Sequence, residues 1–183
     1  YVLGPAVPRL AQLHATRTWA ERAEAALRGL SRRLPEATLT IAEYAGGEVS
    51  LVLRMSPENP GVMEHPRARH MHAYGSASAL VFQAFLREEE RDAYRQRYPF
   101  WEYGAQLWQA PEALEACLRQ TREQGHCVPP SAGAETFCVA AAVLSQDGTI
   151  QATVGASLGA RGEEGRRVDC IEGVKETARA LSG

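Results

Sequence analysis

Apolar residues fill two neighbouring runs late in the chain, 137–144 and 149–158, within FCVAAAVLSQDGTIQATVGASL. Between them lies a polar turn ending in Asp147-Gly148. An Asp-Gly pair flanked by hydrophobic runs predicts a β-hairpin. Its residues facing one way, Ala140, Ala142, Gly155 and Ser157, are small. Side chains of that size do not fill the space under a curved sheet, so room is left for a ligand or for large side chains from elsewhere.

The same reading upstream predicts helices first. Val7, Leu10, Leu13 and His14 recur at helical spacing over residues 5–16, with Pro5 tolerated in the first turn. Thr18-Trp19-Ala20-Glu21 has the form of a capping box, so a second helix is predicted to start there. Its apolar face is Trp19, Ala23, Ala26, Leu27, Leu30 and Leu34, and Pro35 ends it. Residues 38–44 and 48–55 are rich in β-branched and aromatic types and flank Ala45-Gly46-Gly47, which predicts a second hairpin. A loop over 56–61 and a short strand over 62–64 then precede the histidine-bearing segment 65–72.

Residues 74–86, YGSASALVFQAFL, open with small side chains and become apolar at helical spacing through Leu80, Val81, Ala84 and Phe85. A helix start exposes backbone N–H groups and the positive end of the helix dipole, a natural seat for a carboxylate. A charged helix is expected over 87–98. Phe100, Trp101, Tyr103 and Trp108 then crowd an irregular stretch, as a satellite core or as the lining of a ligand site or interface. Pro111 opens a helix with the face Leu114, Cys117, Leu118 and Thr121, closed by Gly125. Residues 127–130 form a connector. After a turn over 159–165, Val168, Ile171, Val174, Ala178 and Leu181 mark a last helix. Hairpins on both sides of a helical insertion predict an α+β fold, an antiparallel sheet packed by helices.

A chain of 183 residues with 45% hydrophobic content fits one domain, or one domain with a helical appendage, with a real core. No window approaches the roughly 18 apolar residues of a membrane span, and the N-terminus lacks the order of a signal peptide. The four cysteines, Cys117, Cys127, Cys138 and Cys170, form no CxxC pair and are expected to be free thiols in a reducing cytoplasm. Net charge is -2 and the basic residues are scattered in short pairs, which is not a nucleic-acid footprint. The apolar start Tyr1-Val2-Leu3, stopped at Gly4-Pro5, reads as the last strand of a preceding domain.

Three stretches together resemble the C-terminal, effector-binding domain of IclR-type bacterial transcription regulators. YVLGPAVPRLAQL, residues 1–13, resembles the end of a winged DNA-binding domain and the linker helix behind it. YGSASALVFQAFLREEE, residues 74–90, resembles the family segment HATASGKALLAFLPEEE without gaps. CVAAAVLSQDGTIQATVGAS, from Cys138, resembles the family's CVAAPVFDADGRVVAALSVS. The resemblance implies a GAF-like, profilin-like curved antiparallel sheet with helices on both faces and a ligand cup. It divides the chain into residues 1–17, wing end and linker helix, and residues 18–183, the effector-binding domain. It further implies a small carboxylate or aromatic acid as effector, DNA contact only through an N-terminal domain outside this chain, homodimers or homotetramers, no cofactor, and no reaction.

Matched residue by residue, the implied effector site is Tyr74, Gly75, Ser76 and Ala77 at the helix start, Thr136 and Cys138 on the first hairpin strand, and Gly155 and Ser157 on the second. Val52 and Arg54 are looser neighbours. The family histidine stands at Tyr74, its helix-start lysine at Leu80, its acidic pair at Pro129 and Pro130, and the first serine of SVS at Gly155. Those departures imply a more apolar pocket suited to a bulkier, aromatic effector, with the Tyr74 ring as a contact.

Other chemistry in the sequence is thinner. His70 and His72 share a strand face, and His65, His126 and Cys127 could complete a zinc site, but the short paired ligand motifs of zinc modules are missing. Cys138 read as a nucleophile with His72 or His126 as base, or Cys127 in that role, would make a GAF-like thiol enzyme, and against Cys138 stands its place in a buried strand. A cup filled by its own side chains would leave an oligomerisation domain. Ser76 and Ser157 have ordinary structural readings as well, as a helix cap and a strand serine.

Overall fold

A computed structural model describes residues 6–66, 69–130, 136–159 and 164–183, with side chains described from Thr18 onward in the first helix. The elements in chain order are α1 (Ala6–Arg33), β1 (Thr38–Ala45), β2 (Glu48–Met55), β3 (Arg69–His70), α2 (Ala77–Phe85), α3 (Glu88–Arg97), α4 (Phe100–Tyr103) and α5 (Ala105–Trp108), followed by α6 (Pro111–Gln124), β4 (His126–Cys127), β5 (Thr136–Leu144), β6 (Ile150–Gly159) and α7 (Glu164–Leu181). The strands form one antiparallel sheet in the order β3-β2-β1-β6-β5-β4. Helices cover both faces.

The sheet separates two cores because alternate strand residues point to opposite sides. On one side Leu39 and Ile41 of β1, Val139 and Val143 of β5, and Val154 and Leu158 of β6 pack against α1 and α7. On the other, Ala42, Val49 and Ala140 pack against α2, α3, α5 and α6 through Leu80, Phe82, Tyr94, Trp108, Leu114 and Leu118. A bulge allows β2 to serve both. Ile41 opposes Leu53 but Ala42 opposes Leu51, so Val52 is the extra residue. Leu53 and Met55 therefore join the first core while Val49 joins the second.

The turns follow their residues. Gly46 and Gly47 both take positive φ, 60° and 81°, in the two-residue connection from β1 to β2, where only such a turn matches the twist of the strands. Gly125 closes α6 in the left-handed conformation with φ 74°.

Four expectations are corrected. The two N-terminal helices are one: α1 runs unbroken through Thr18, since neither glycine nor proline occurs between Arg9 and Arg28 to stop it. Residues 62–64 contribute only a bridge, Glu64 to Arg54, and the further strand is β3 instead. The connector begins as β4, whose Cys127 pairs with Ala140; two residues are too few to carry a period. Val168 is 53% exposed, because it stands about 200° around α7 from the buried Cys170, and the inward face is completed by Gly173. The expected wing end at Tyr1-Val2-Leu3 and the side chains of Val7, Leu10, Leu13 and His14 lie outside the described residues.

The aromatic stretch divides. Trp108 is buried and Phe100 meets Tyr74 edge-on at 5.8 Å, while Trp101 and Tyr103 are exposed. Among the described residues no helix is long and apolar enough to cross a membrane.

Candidate functional site

The face of the sheet beneath α2 carries the small residues in ladder rows. Thr40 of β1, Gly155 of β6 and Ala140 of β5 form one row, and Ala42, Thr153 and Ala142 the next. These rows are roofed by α2: a β-carbon on Gly155 would stand 3.5 Å from Ser78 Oγ. The room foreseen under the hairpin is thus partly taken by close approach of the helix itself. Toward the strand ends the next row is Thr38, Ser157 and Cys138, all half-buried, with Thr136 exposed beyond it on the same face. On the opposite face at the same level Leu39, Val139 and Leu158 are buried. The more accessible end of this face therefore carries hydroxyls and one thiol.

The start of α2 approaches the neighbouring row at Gly155 through Ser78. Ser76 is its N-cap, accepting the Ala79 N–H at 3.1 Å, and helix geometry leaves the N–H groups of Ala77 and Ser78 without an intrahelical partner. Two buried side chains fix the residues before the cap. Gln83 Nε2 donates to the Ala73 carbonyl at 2.8 Å, and Trp108 Nε1 donates to the Tyr74 carbonyl at 2.9 Å. Gly75 permits a tight pass, since a β-carbon there would meet His72 Nδ1 at 3.0 Å.

The eight expected site residues do not all share one surface. Ser76 and Ala77 at the start of α2 and Thr136, Cys138, Gly155 and Ser157 on the sheet belong to the same side of the sheet. Tyr74 is placed elsewhere: its ring is 1% exposed inside the helical core and its hydroxyl donates to the Tyr98 carbonyl at 2.7 Å. Burial is the main reason that its hydroxyl pKa is raised. Arg54 is on the site face but engaged, with Nη1 2.8 Å from Glu64 and Nη2 3.1 Å from Glu58. Val52 sits at the bulge and packs toward the opposite core.

Thr38, Thr40 and Ser78 were not singled out from sequence. The alternation in Thr38-Leu39-Thr40-Ile41 carried the signal for the first two, since a period of two puts both hydroxyls on one face. Thr40 matters most. Its Oγ1 would lie 2.6 Å from a β-carbon on Gly155, so β1 presents a hydroxyl where β6 has no side chain.

The Cys138 thiol is pushed up by burial, which disfavours the thiolate form. Among the described residues no three His, Cys, Asp or Glu side chains converge on one point. His70 pairs with Glu48 at 2.7 Å, and His72 Nδ1 accepts the Tyr74 N–H at 3.3 Å. What the arrangement offers is neutral hydrogen bonding beside a helix N-terminus.

Residues 13–183 match the family model described as bacterial transcriptional regulator IclR, C-terminal. No curated protein matches the chain in sequence. Among solved structures, the C-terminal domain of the Escherichia coli transcriptional regulator KdgR has 21% identity and a TM-score of 0.71, over 90% of this chain and 96% of that one. A candidate transcriptional regulator of Rhodococcus sp. RHA1 has 23% identity and a TM-score of 0.73, over 98% of this chain and 74% of that one. The IclR transcriptional regulator of Alicyclobacillus acidocaldarius has 19% identity and a TM-score of 0.71, over 100% and 74%. At these identities the structures establish the shared fold. With the family model covering nearly the whole chain, the protein belongs to the IclR family of bacterial transcriptional regulators, as its C-terminal domain.

Proposed function

We propose that this domain senses a small organic acid in the cytoplasm and controls DNA binding by an N-terminal domain outside the chain. The observation that carries the reading is the half-buried row Thr38, Ser157 and Cys138, on the side of the sheet that α2 roofs. Hydroxyls and backbone N–H groups at a helix start suit a carboxylate without a cation, and the engaged Arg54 supplies none. Tyr74 is left out of the contact set, since its ring is packed and its hydroxyl partnered. Gly75 shapes the approach, and Thr40 joins Ser157 as a hydroxyl donor. The role is binding and not catalysis, in keeping with a Cys138 thiolate disfavoured by burial.

A route for the signal runs through the sheet. Ser157 points to the site while its neighbours Ala156 and Leu158 pack in the core shared with α1 and α7. α1 spans 28 residues, about 42 Å, and Trp19 Nε1 ties it to Glu43 of β1 at 3.1 Å. A ligand that prefers one position of β6 biases α1, and only that difference in affinity moves the equilibrium. Exposed Trp101 and Tyr103 support self-association as a homodimer or homotetramer.

The test is thermal unfolding against a panel of small aliphatic and aromatic acids, in wild type and Ser157→Ala. A ligand at 100 times its Kd stabilises by about 2.7 kcal/mol. The expected result is a shift with one acid class that the variant diminishes. No shift from any acid, on folded protein, overturns the reading in favour of an oligomerisation domain with a filled cup.

A further inference from the structure

Two cysteines outside the proposed effector site stand together. Cys117 lies on α6 and Cys127 on β4, and their Sγ atoms are 3.9 Å apart. Cys117 is half-buried and Cys127 is buried. The Thr121 hydroxyl, one turn along α6, is 4.0 Å from Cys117 Sγ. A small cavity of about 70 Å³ opens on the pair, walled also by Gln120, Gln124 and His126. It is large enough to admit a molecule the size of water or hydrogen peroxide.

We propose that Cys117 and Cys127 form a peroxide-sensitive dithiol that closes to a reversible disulfide between α6 and the sheet edge. The Cys117 thiolate attacks one peroxide oxygen, the O–O bond breaks, and hydroxide leaves to take up a proton as water; Cys117 is then a sulfenic acid. Cys127 sulfur attacks that sulfur, the S–O bond breaks, and hydroxide leaves with the Cys127 proton as a second water. Two thiols and one peroxide give one disulfide and two waters, with the thiols oxidised and the peroxide reduced. The Sγ atoms must close from 3.9 Å to about 2.0 Å to form the bond.

The surroundings assign the order of events. Cys117 is the more accessible of the two; its contacts with Cys127 and Thr121 lower its thiol, whereas Cys127 is raised by the shared contact and by its burial. Cys170 is held up at about 12, chiefly by burial, and Cys138 is raised for the same reason. Reaction therefore starts at Cys117 and is resolved by its neighbour. Cys127 pairs with Ala140, in the row that continues to Gly155 and Thr40, so the bridge would brace the sheet beside the effector site.

The experiment treats purified protein with low hydrogen peroxide, counts thiols after denaturation, and maps peptides by mass spectrometry with and without dithiothreitol. The expected result is a fall from four thiols to two, a Cys117–Cys127 linked peptide, and full recovery on reduction. Cys117→Ser is expected to keep its remaining thiols at the same dose, and Cys127→Ser to lose only Cys117, as sulfenic or sulfinic acid with no bridge. Four intact thiols in wild type, a bridge through Cys138 or Cys170, or equal thiol loss in Cys117→Ser would each overturn the proposal. The wild-type peptide map decides the matter even if a variant folds poorly.

Discussion

Thr40 and Gly155 face each other across β1 and β6 so closely that a β-carbon on the glycine would stand 2.6 Å from the threonine hydroxyl. The pair is complementary: one strand yields the space that the other strand's hydroxyl uses. Gly155→Ala should therefore cost about 1–3 kcal/mol by overpacking a buried row. Thr40→Ala combined with it should recover most of that loss, because the obstructing oxygen is gone. Urea unfolding of the two single variants and the double measures the coupling, and simply additive losses would disprove the close contact.

Ser76 separates cap chemistry from ligand chemistry. Ser76→Ala removes the bond to the Ala79 N–H and is expected to cost about 1 kcal/mol. Ser76→Asp keeps a cap and sets a negative charge at the helix start, so stability is expected to hold while any acid-induced thermal shift disappears by charge repulsion. Acid binding unaffected by the aspartate would place the ligand elsewhere.

Trp108 and Gln83 hold the two carbonyls ahead of that cap. Trp108→Phe leaves the buried Tyr74 carbonyl without its 2.9 Å donor, and Gln83→Leu does the same to the Ala73 carbonyl. Each is expected to lower stability by about 1–3 kcal/mol, with some further packing loss for the tryptophan. Wild-type denaturation midpoints would show that water replaces these donors without penalty.

Asp147 in the β5–β6 turn accepts from the Ser145 hydroxyl and from the Thr149 N–H at 3.0 Å. These bonds pull its carboxyl from the ordinary 3.8 down to about 2, the Ser145 bond being the main cause. The folded pKa is the lower one, so its contribution is complete above about pH 4 and fades as pH falls through 2. The Tm difference between wild type and Asp147→Ala should thus narrow between pH 4 and pH 2. A difference that stays constant would assign the effect to turn shape and not to charge.

Much of the fold was legible because its signals are local. Asp147-Gly148 and Gly46-Gly47 specify turns through backbone freedom at the glycines, and the runs beside them specify strands. The face Ala23, Leu27, Leu30 and Leu34 is read from spacing alone, and all four are buried. Local pattern misled where a signal had no competitor to test it. The Thr18–Glu21 motif resembles a helix start, yet inside a segment free of helix breakers it forms one more turn of α1.

The candidate site was legible in part for the same reason. Cys138 opposite Ser157 follows from register once the hairpin is known, and Ser76 as a cap from its place just ahead of the apolar run of α2. Chain order alone determined the antiparallel α+β class, most of the helices and both hairpins, and which hairpin face is small. Only the tertiary structure decided which side chains share that face with α2. Thr40 reaches Gly155 because β1 lies beside β6, 115 positions later in the chain, and Tyr74 turns into the helical core because the Tyr98 carbonyl and Phe100 are there to receive it. Those are contacts between segments distant in sequence, and their geometry is set by how whole layers pack, which no local period encodes.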